Sequence, residues 1–551
     1  MMTNKKHINA VVIGSGAGGG VVTKELASKG YSVIVLERGN WIGYGKHAND
    51  ELWDQRTQVL GATFGPDFKK NPRTKVDTKG KETLLDSGRG YGNVAACVGS
   101  GTVSYGAMGW RFMEEDFKMK STYGSVEGST LDDWPISYHD LEPYYEKAEW
   151  EIGVSGDDSK NPFAPPRKKP QPMPAFENNK EGKVLSAAAE KMGWHPFSIP
   201  MLRNSIPFNG ISACMRNSIC VGNACPISAK NGTHNTVIPK AIETGNCEVK
   251  TGCFVSEVVI DEQGKAKAVK YFDRYGRENI QTADIVVVSA SATETARLLL
   301  NSKSRLFPNG AGNNNDWVGR NLQGHAYTGA FGLFDYDILD HKGNGATMAI
   351  CDFNHHNDGI IGGGLLANEF NRLPYQFTHI RPPGASKWGK EHKEFQRVNF
   401  KRISQFVGPI QEMPNFESRV TVSPNVKDHW GIPVVQFSGG RHPLDREHCK
   451  FLSEKAEMLL KEAGAIKTWQ HLGGKGQGGG HHQAGTARMG NDKKTSVTNK
   501  YGQVHDIDNL FIADGSLIPN NGGFNPSLTI MALGYWVGEH ISENFKHVIK
   551  S

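Results

Sequence analysis

Two residues near the C-terminus have the types and spacing to do chemistry together. They are His482, in GGGHHQAGTARMG (residues 478–490), and Asn525, in NLFIADGSLIPNNGGFNPSLTIMALG (residues 509–534). Taking a hydride from an alcohol carbon requires one group to accept the hydroxyl proton and another to hold the oxygen. Histidine suits the first task because its pKa lies near neutrality. Asparagine suits the second because its amide donates a hydrogen bond without competing for the proton. A histidine and an asparagine at this distance mean little alone. They gain weight only if the chain also binds something that can take the hydride.

A second set of reactive side chains lies in SACMRNSICVGNACPIS (residues 212–228), where Cys214, Cys220 and Cys225 precede Pro226. Closely spaced thiolates in a loop that ends in Cys-Pro have the pattern of an iron–sulfur ligand loop. Three ligands suit a three-iron cluster, or a four-iron cluster with one ligand of another kind. Zinc is the competing metal, although no histidine falls inside the segment to complete a tetrahedral set. Disulfides are the third alternative. The remaining cysteines (97, 247, 253, 351 and 449) are scattered and read as buried free thiols.

The elements that must position His482 and Asn525 begin at the other end of the chain. Residues 8–39 read INAVVIGSGAGGGVVTKELASKGYSVIVLERG. Ile8 to Ile13 is predicted to form a buried parallel strand, and Gly19 to about Lys29 a helix. Ser32 to Leu36 is predicted to form a second strand ending at Glu37. Between the first strand and the helix, Gly14, Gly16 and Gly19 form G-x-G-x-x-G. These glycines allow a tight turn and let backbone N–H groups approach a pyrophosphate at the helix N-terminus. Glu37 falls where an acid accepts a ribose hydroxyl, which argues against NADP and leaves NAD and FAD open.

Length and composition exclude several classes. A chain of 551 residues has room for two or three domains with their own cores. At 38% hydrophobic and 22% charged it has the balance of a globular protein. A net charge of +6, with no dense Lys/Arg stripe, argues against nucleic-acid binding; PRKKP (residues 166–170) reads as a solvated loop. No apolar run reaches the roughly 18 residues of a membrane-spanning helix. Lys5 and Lys6 before an apolar stretch imitate a signal peptide, but that stretch is the first strand of the nucleotide fold, so no export signal is expected.

Farther along, residues 157–175 are Pro-rich and read as a connector. Thr251 to Phe272 is predicted to be a β-hairpin turning near Asp261–Lys265, Ala283 to Val288 a buried strand, and Glu294 to Asn301 a helix behind it. Residues 331–410 alternate strand-like runs with Gly- and His-rich loops and suit a sheet covering a substrate. His355, His356, Asn368 and Gln376 are its polar candidates, each equally readable as a surface residue. Gly473 to Gly480 is a glycine-rich stretch just ahead of the histidine pair, and no internal repeat is present.

Taken together, these segments resemble the glucose–methanol–choline (GMC) oxidoreductases. Within them the chain is most similar to the catalytic large subunits of bacterial FAD-dependent sugar dehydrogenases, of the glucose, glucoside 3- and gluconate 2-dehydrogenase kinds. The resemblance runs nearly end to end. The glycine fingerprint is followed by VGSGTVSYGAMGWRF (residues 98–112), DWPISYHDLEPYYEKAEWEIGVSG (133–156), VGRNLQGH (318–325), HHQAGTARMG and FNPSLT. It implies an α/β fold in which a Rossmann-like FAD domain is interleaved with an α+β substrate domain on an antiparallel sheet, a p-hydroxybenzoate hydroxylase-like architecture. The FAD domain would comprise 1–45, 84–112, 226–325 and 485–551, and the substrate domain 46–83, 113–225 and 326–484.

The same resemblance implies FAD on Gly14, Ser15, Gly16, Gly19, Glu37, Arg38, Gly99, Ser100, Ser104, Val255, Asp514, Gly515, Asn525 and Pro526. Val255 would lie near the adenine, and Asp514 and Gly515 near the ribityl phosphate. Where some members attach FAD through a histidine this chain has Ser104, so the FAD is expected to be non-covalent. The spacing H-x-x-G-T, counted back from Gly485, selects His482 over His481 as the base, with Asn525 orienting the oxygen. Cys214, Cys220 and Cys225 resemble a three-iron cluster loop, with the gap from Cys220 to Cys225 one residue longer. The implied activity is oxidation of a sugar or glycoside hydroxyl, at glucose C1 or glucoside C3. Electrons would then pass through the cluster to a cytochrome c-type or soluble acceptor. A small partner subunit and export to the periplasm belong to the same expectation. The alternatives are an oxidase that uses dioxygen, or a flavin-binding scaffold without turnover.

Overall fold

The structure, a computed structural model, describes residues 7–42, 65–85, 95–473 and 480–550. Lys5 and Lys6, the expected domain boundary at 45/46 and all but the ends of the Gly473–Gly480 stretch lie outside the described residues.

A five-stranded parallel sheet organises the chain. Its strands run in the order Leu510–Ile512, Ile285–Val288, Ala10–Ile13, Val33–Glu37, Cys247–Thr251. The three in the middle read IVVV, AVVI and VIVLE and are buried at every position. That is what a strand covered on both faces requires, because β-branched side chains fit the pleat and leave no polar face. The first helix runs Ala17–Ser28, starting two residues before the expected position, with Gly16 as its N-cap. It lies against the last helix, Ser527–Lys550, and buries Val21, Val22 and Leu26. Close approach depends on Gly534, where a Cβ would come within 3.0 Å of Gly18 O and 3.1 Å of Val21 Cβ. Burial of each large apolar side chain in this contact stabilises the fold by about 1.5–3 kcal/mol. The expected hairpin is present as Phe254–Ile260 and Ala266–Phe272, closed by Asp261 N donating to Lys265 O at 2.9 Å.

The second layer is a six-stranded sheet ordered Lys467–His471, Tyr327–Leu333, Ile403–Pro409, Leu366–Asn368, Met348–Ile350, Phe197–Ser198. All of its pairings are antiparallel. Helix Leu444–Glu462 backs it with Leu452, Ala456, Leu459 and Leu460. Residues 331–410 therefore contribute strands to this sheet as expected, joined by strands from far away in sequence, but they also contain helices Pro374–Phe377 and Gly389–Asn399, where only strands and loops were expected. The architecture is α/β, a parallel nucleotide-type sheet interleaved with an antiparallel one. Residues 157–175 contain no helix or strand beyond one bridge at Met173.

Candidate active site

Strand His481–Ala484 pairs antiparallel with Gln323–His325. Between the pairs Gln323↔Ala484 and His325↔His481 the register slips, so the histidine strand carries one extra residue. His482 lies in that bulge with φ +57°, left-handed backbone that costs a non-glycine residue about 1 kcal/mol. A bulge re-aims a side chain, and here it turns His482 toward two partners. His482 Nδ1 lies 2.8 Å from His325 Nδ1, and Asn525 Nδ2 lies 3.2 Å from His482 Nε2.

The protons in this chain follow from one carbonyl. His325 Nε2 lies 2.7 Å from Gly522 O, which can only accept, so that nitrogen carries hydrogen. Burial pulls the His325 pKa down to about 3, so the ring is neutral and its Nδ1 is a lone pair. His482 must then donate from Nδ1, which leaves Nε2 as its lone pair. Burial, with His325 and His481 adding to it, holds the His482 pKa well below 6.5. Asn525 donates its amide to that Nε2 and, at 2.9 Å, to Tyr327 OH, while its Oδ1 is buried without a partner. An alcohol oxygen placed between His482 Nε2 and Asn525 Nδ2 would give its proton to the first and accept from the second.

The motif Val318–His325 clasps the His482 and Asn525 segments together. Asn321 and Gln323 both donate to Pro519 O at 3.0 Å. Gln323 Oε1 accepts from Asn521 N, and Asn521 Nδ2 donates to His482 O at 3.0 Å. Immediately after this loop Pro526 opens the final helix, accepting from Ile530 N.

A trough leads from this pair to the glycine turn. Its outer part is lined by Gly14, Ser15, Glu37, Arg38 and Val255. Its inner part, a cavity of about 490 Å³, is lined by Ser104, Asp514, Gly515, Pro526, His482 and Asn525 among others, and Gly16 and Ser100 border both. A dinucleotide fits what is built here. Gly14 has φ +94°, and a Cβ there would come within 2.3 Å of Ser289 O, so only bare backbone can run past. Ser15 ties the turn together: its hydroxyl donates to Glu37 and accepts from Gly99 N. Burial raises the Glu37 pKa, and bonds from Gly39 N and Ser15 oppose it. Beside it, Arg38, Arg73 and Arg297 overcome burial and hold the Glu294 carboxyl at about 2. The Asp514 carboxylate is committed to Ser291 N, Thr295 OH, Ser516 N and Ser516 OH, so it shapes the Gly515–Leu517 turn from within.

The cysteine loop departs from expectation. Among the described residues no group of three His, Cys, Asp or Glu side chains, Cys214, Cys220 and Cys225 included, is placed to hold a metal ion. Beside the loop, the fully buried Lys230 ammonium donates to Tyr105 O, Cys220 O and Asn223 O at 2.7–3.2 Å. Burial lowers the Lys230 pKa, and the three nearby cysteines oppose that. The loop is thus held by an internal cation, and its residues as placed give the expected three-iron cluster no support.

Of the expected pocket residues, Gln376 lines the inner cavity. Asn368 lies behind the sheet, donating to Glu181 and Gly345 O. His355 is buried on Asp116 and Tyr123, and His356 is exposed near Glu115. Sequence reasoning passed over His325 and Tyr327, although both fall in or beside a quoted motif. Nothing local marked Glu369, Arg372 or Lys230.

Residues 128–327 and 414–534 match the two family models described as GMC oxidoreductase. The chain is 31% identical to 6'''-hydroxyparomomycin C oxidase of Streptomyces lividus, over 95% of this chain and 89% of that one. It is 30% identical to 2-methyl-1,2-propanediol dehydrogenase of Mycolicibacterium austroafricanum, over 100% and 98%. It is 26% identical to the fructose dehydrogenase large subunit of Gluconobacter japonicus, over 98% of both. Among solved structures, pyridoxine 4-oxidase from Mesorbium loti superposes with a TM-score of 0.61 at 14% identity, covering 98% of this chain and 99% of that one.

Proposed function

The chain belongs to the GMC oxidoreductases, and on that premise we propose that it is an FAD-dependent dehydrogenase oxidising a hydroxyl of a sugar or glycoside. The observation that carries the reading is the meeting of the His482 Nε2 lone pair with the Asn525 amide at the inner end of the trough. Bound FAD supplies the two-electron hydride acceptor. The protein's part is proton management and geometry. His482 Nε2 takes the hydroxyl proton as the carbon–hydrogen bond breaks, and His325 Nδ1 accepts the hydrogen bond of the imidazolium so formed. Asn525 Nδ2 holds the oxygen, which becomes the carbonyl oxygen of a ketone or lactone. Tyr327 fixes the Asn525 amide from the other side. Electrons leave to an acceptor outside the chain, and no step runs through the cysteine loop.

The test is anaerobic titration of the holoprotein with glucose and with methyl glucoside, watching the flavin bands. Bleaching by glucose alone points to C1, and bleaching by both points to a ring hydroxyl such as C3. Bleaching by neither, with FAD bound, counts against the proposal. His482→Ala should slow flavin reduction by roughly two to four orders of magnitude. A near-normal reduction rate with sugar bound would remove His482 from its role.

Similarity to an oxidase keeps dioxygen as the second acceptor, and the ungrouped thiols remove the argument for a built-in electron exit. Reoxidation of the reduced protein by dioxygen within seconds would favour it. The proposal also includes the expected interleaved domains and the large-subunit arrangement: a small partner, a cytochrome c-type acceptor and a periplasmic location. The support is the similarity to a large subunit, and co-purification from the native host with fractionation tests it.

A further inference from the structure

The inner cavity has a second polar feature that proton transfer does not use. Where strand Leu366–Asn368 ends, the chain alternation sends Asn368 behind the sheet and leaves Glu369 on the cavity wall beside Arg372 and Gln405. Glu369 N donates to Gln405 O at 3.0 Å, which extends the ladder and fixes the position. The Glu369 side chain is 13% exposed. Its Oε1 accepts from Phe370 N at 3.1 Å, while its Oε2 lies 3.7 Å from Arg372 Nη2, beyond hydrogen-bond length. Arg372 is anchored by Gln405 Oε1, which accepts from Nε at 3.0 Å and from Nη2 at 2.6 Å.

A carboxylate accepts and a guanidinium donates, so side by side they match two neighbouring hydroxyls, one donating and the next accepting. Their charges cancel. A neutral diol therefore gains both bonds, and a substrate carrying its own charge gains no net attraction. Resting on the oxidoreductase reading above, we propose that Glu369 and Arg372 clamp a vicinal diol of the substrate, so that the enzyme selects neutral polyols carrying that diol in addition to the hydroxyl it oxidises.

Anaerobic stopped-flow reduction of the holoenzyme by glucose and by cyclohexanol, which has no diol, tests this. Glu369→Gln keeps the shape and exchanges a charge-assisted bond for a neutral one, so the Kd for glucose should rise about tenfold. Glu369→Ala should raise it further, toward a hundredfold. In both, the limiting reduction rate with glucose should stay within about twofold and the preference for glucose over cyclohexanol should fall with the affinity. Thermal unfolding and FAD content of each variant report whether the fold is intact. A glucose Kd within twofold of wild type in both variants would overturn the clamp. So would a fall in limiting rate at unchanged Kd, because Glu369 would then act on the proton chemistry. Gluconate or glucosamine binding tenfold more tightly than glucose would overturn the neutral class. If no probe bleaches the wild-type flavin, the oxidoreductase reading fails by itself. The clamp is then judged on glucose affinity alone, read from the perturbation of the flavin spectrum in wild type and Glu369→Gln.

Discussion

His482 owes its basic nitrogen to a neighbour that cannot donate back. Gly522 O holds the hydrogen of His325 on Nε2, which forces the His482 hydrogen onto Nδ1 and leaves Nε2 bare. His325→Phe removes that control and should lower the limiting rate of flavin reduction by about ten- to a hundredfold, the usual weight of a group that orients a base. His325→Gln, whose amide can accept and donate, should recover part of it. Stopped-flow reduction across pH separates this from simple misfolding. Because burial holds the His482 pKa well below 6.5, its neutral form persists on acidification, and the acid limb of the wild-type profile should fall below pH 6.5. In His325→Phe that limb should move. At this scale His482 and Asn525 stand out in the sequence as candidates because general-base chemistry needs those side chains, whatever surrounds them. His325 does not, because its role depends on a bulge that exists only once two distant strands have paired.

At the scale of elements, short polar segments hold the loops in place. The 318–325 motif clasps the catalytic loop with Asn321 and Gln323, and the cysteine loop is stapled to the flavin-facing segment by Lys230. Lys230→Met would leave three buried carbonyls without a donor, a loss of roughly 3 kcal/mol or more. Chemical denaturation should show that loss, and limited proteolysis should find residues 212–228 newly open. Iron analysis of anaerobically prepared wild type should return no stoichiometric metal, and about three irons per chain would show that the loop rearranges around a cluster. Spacing alone suggested the cluster because it records which thiols are near in sequence. It is silent about a lysine a few residues on whose buried ammonium binds the loop's carbonyls. The parallel strands were legible for the opposite reason, since full burial writes itself into unbroken β-branched runs.

For the whole molecule, several histidines are buried in their neutral form. Burial pulls His234 and His448 down to about 4 and His325 to about 3. Unfolded, each would take up a proton near pH 6.5, so stability is full above that value and is lost as pH falls toward the folded pKa. At pH 5.5 each costs about 1.4 kcal/mol, together about 4 kcal/mol. The unfolding midpoint in urea should therefore drop between pH 7.5 and 5.5, by a smaller amount in a variant with His448 replaced by Gln. The interleaving of the two sheets was legible only through the order of motifs, since no local pattern says that a strand near residue 510 will pair with one near 286.

That pairing has a consequence for how the protein is made. The helix after the glycine turn is covered by the last helix of the chain, and roughly five hundred residues separate Ser28 from Ser527. At about 5–20 residues per second, the ribosome takes on the order of 25–100 s to cross that interval. Until then the first helix lacks this apolar cover, and the pairing of His482 with Asn525 becomes possible only in the last few residues of the interval. Cofactor loading and the onset of activity therefore come late in synthesis, and a nascent chain stalled before Asn525 is a client for chaperones without its His482–Asn525 pair.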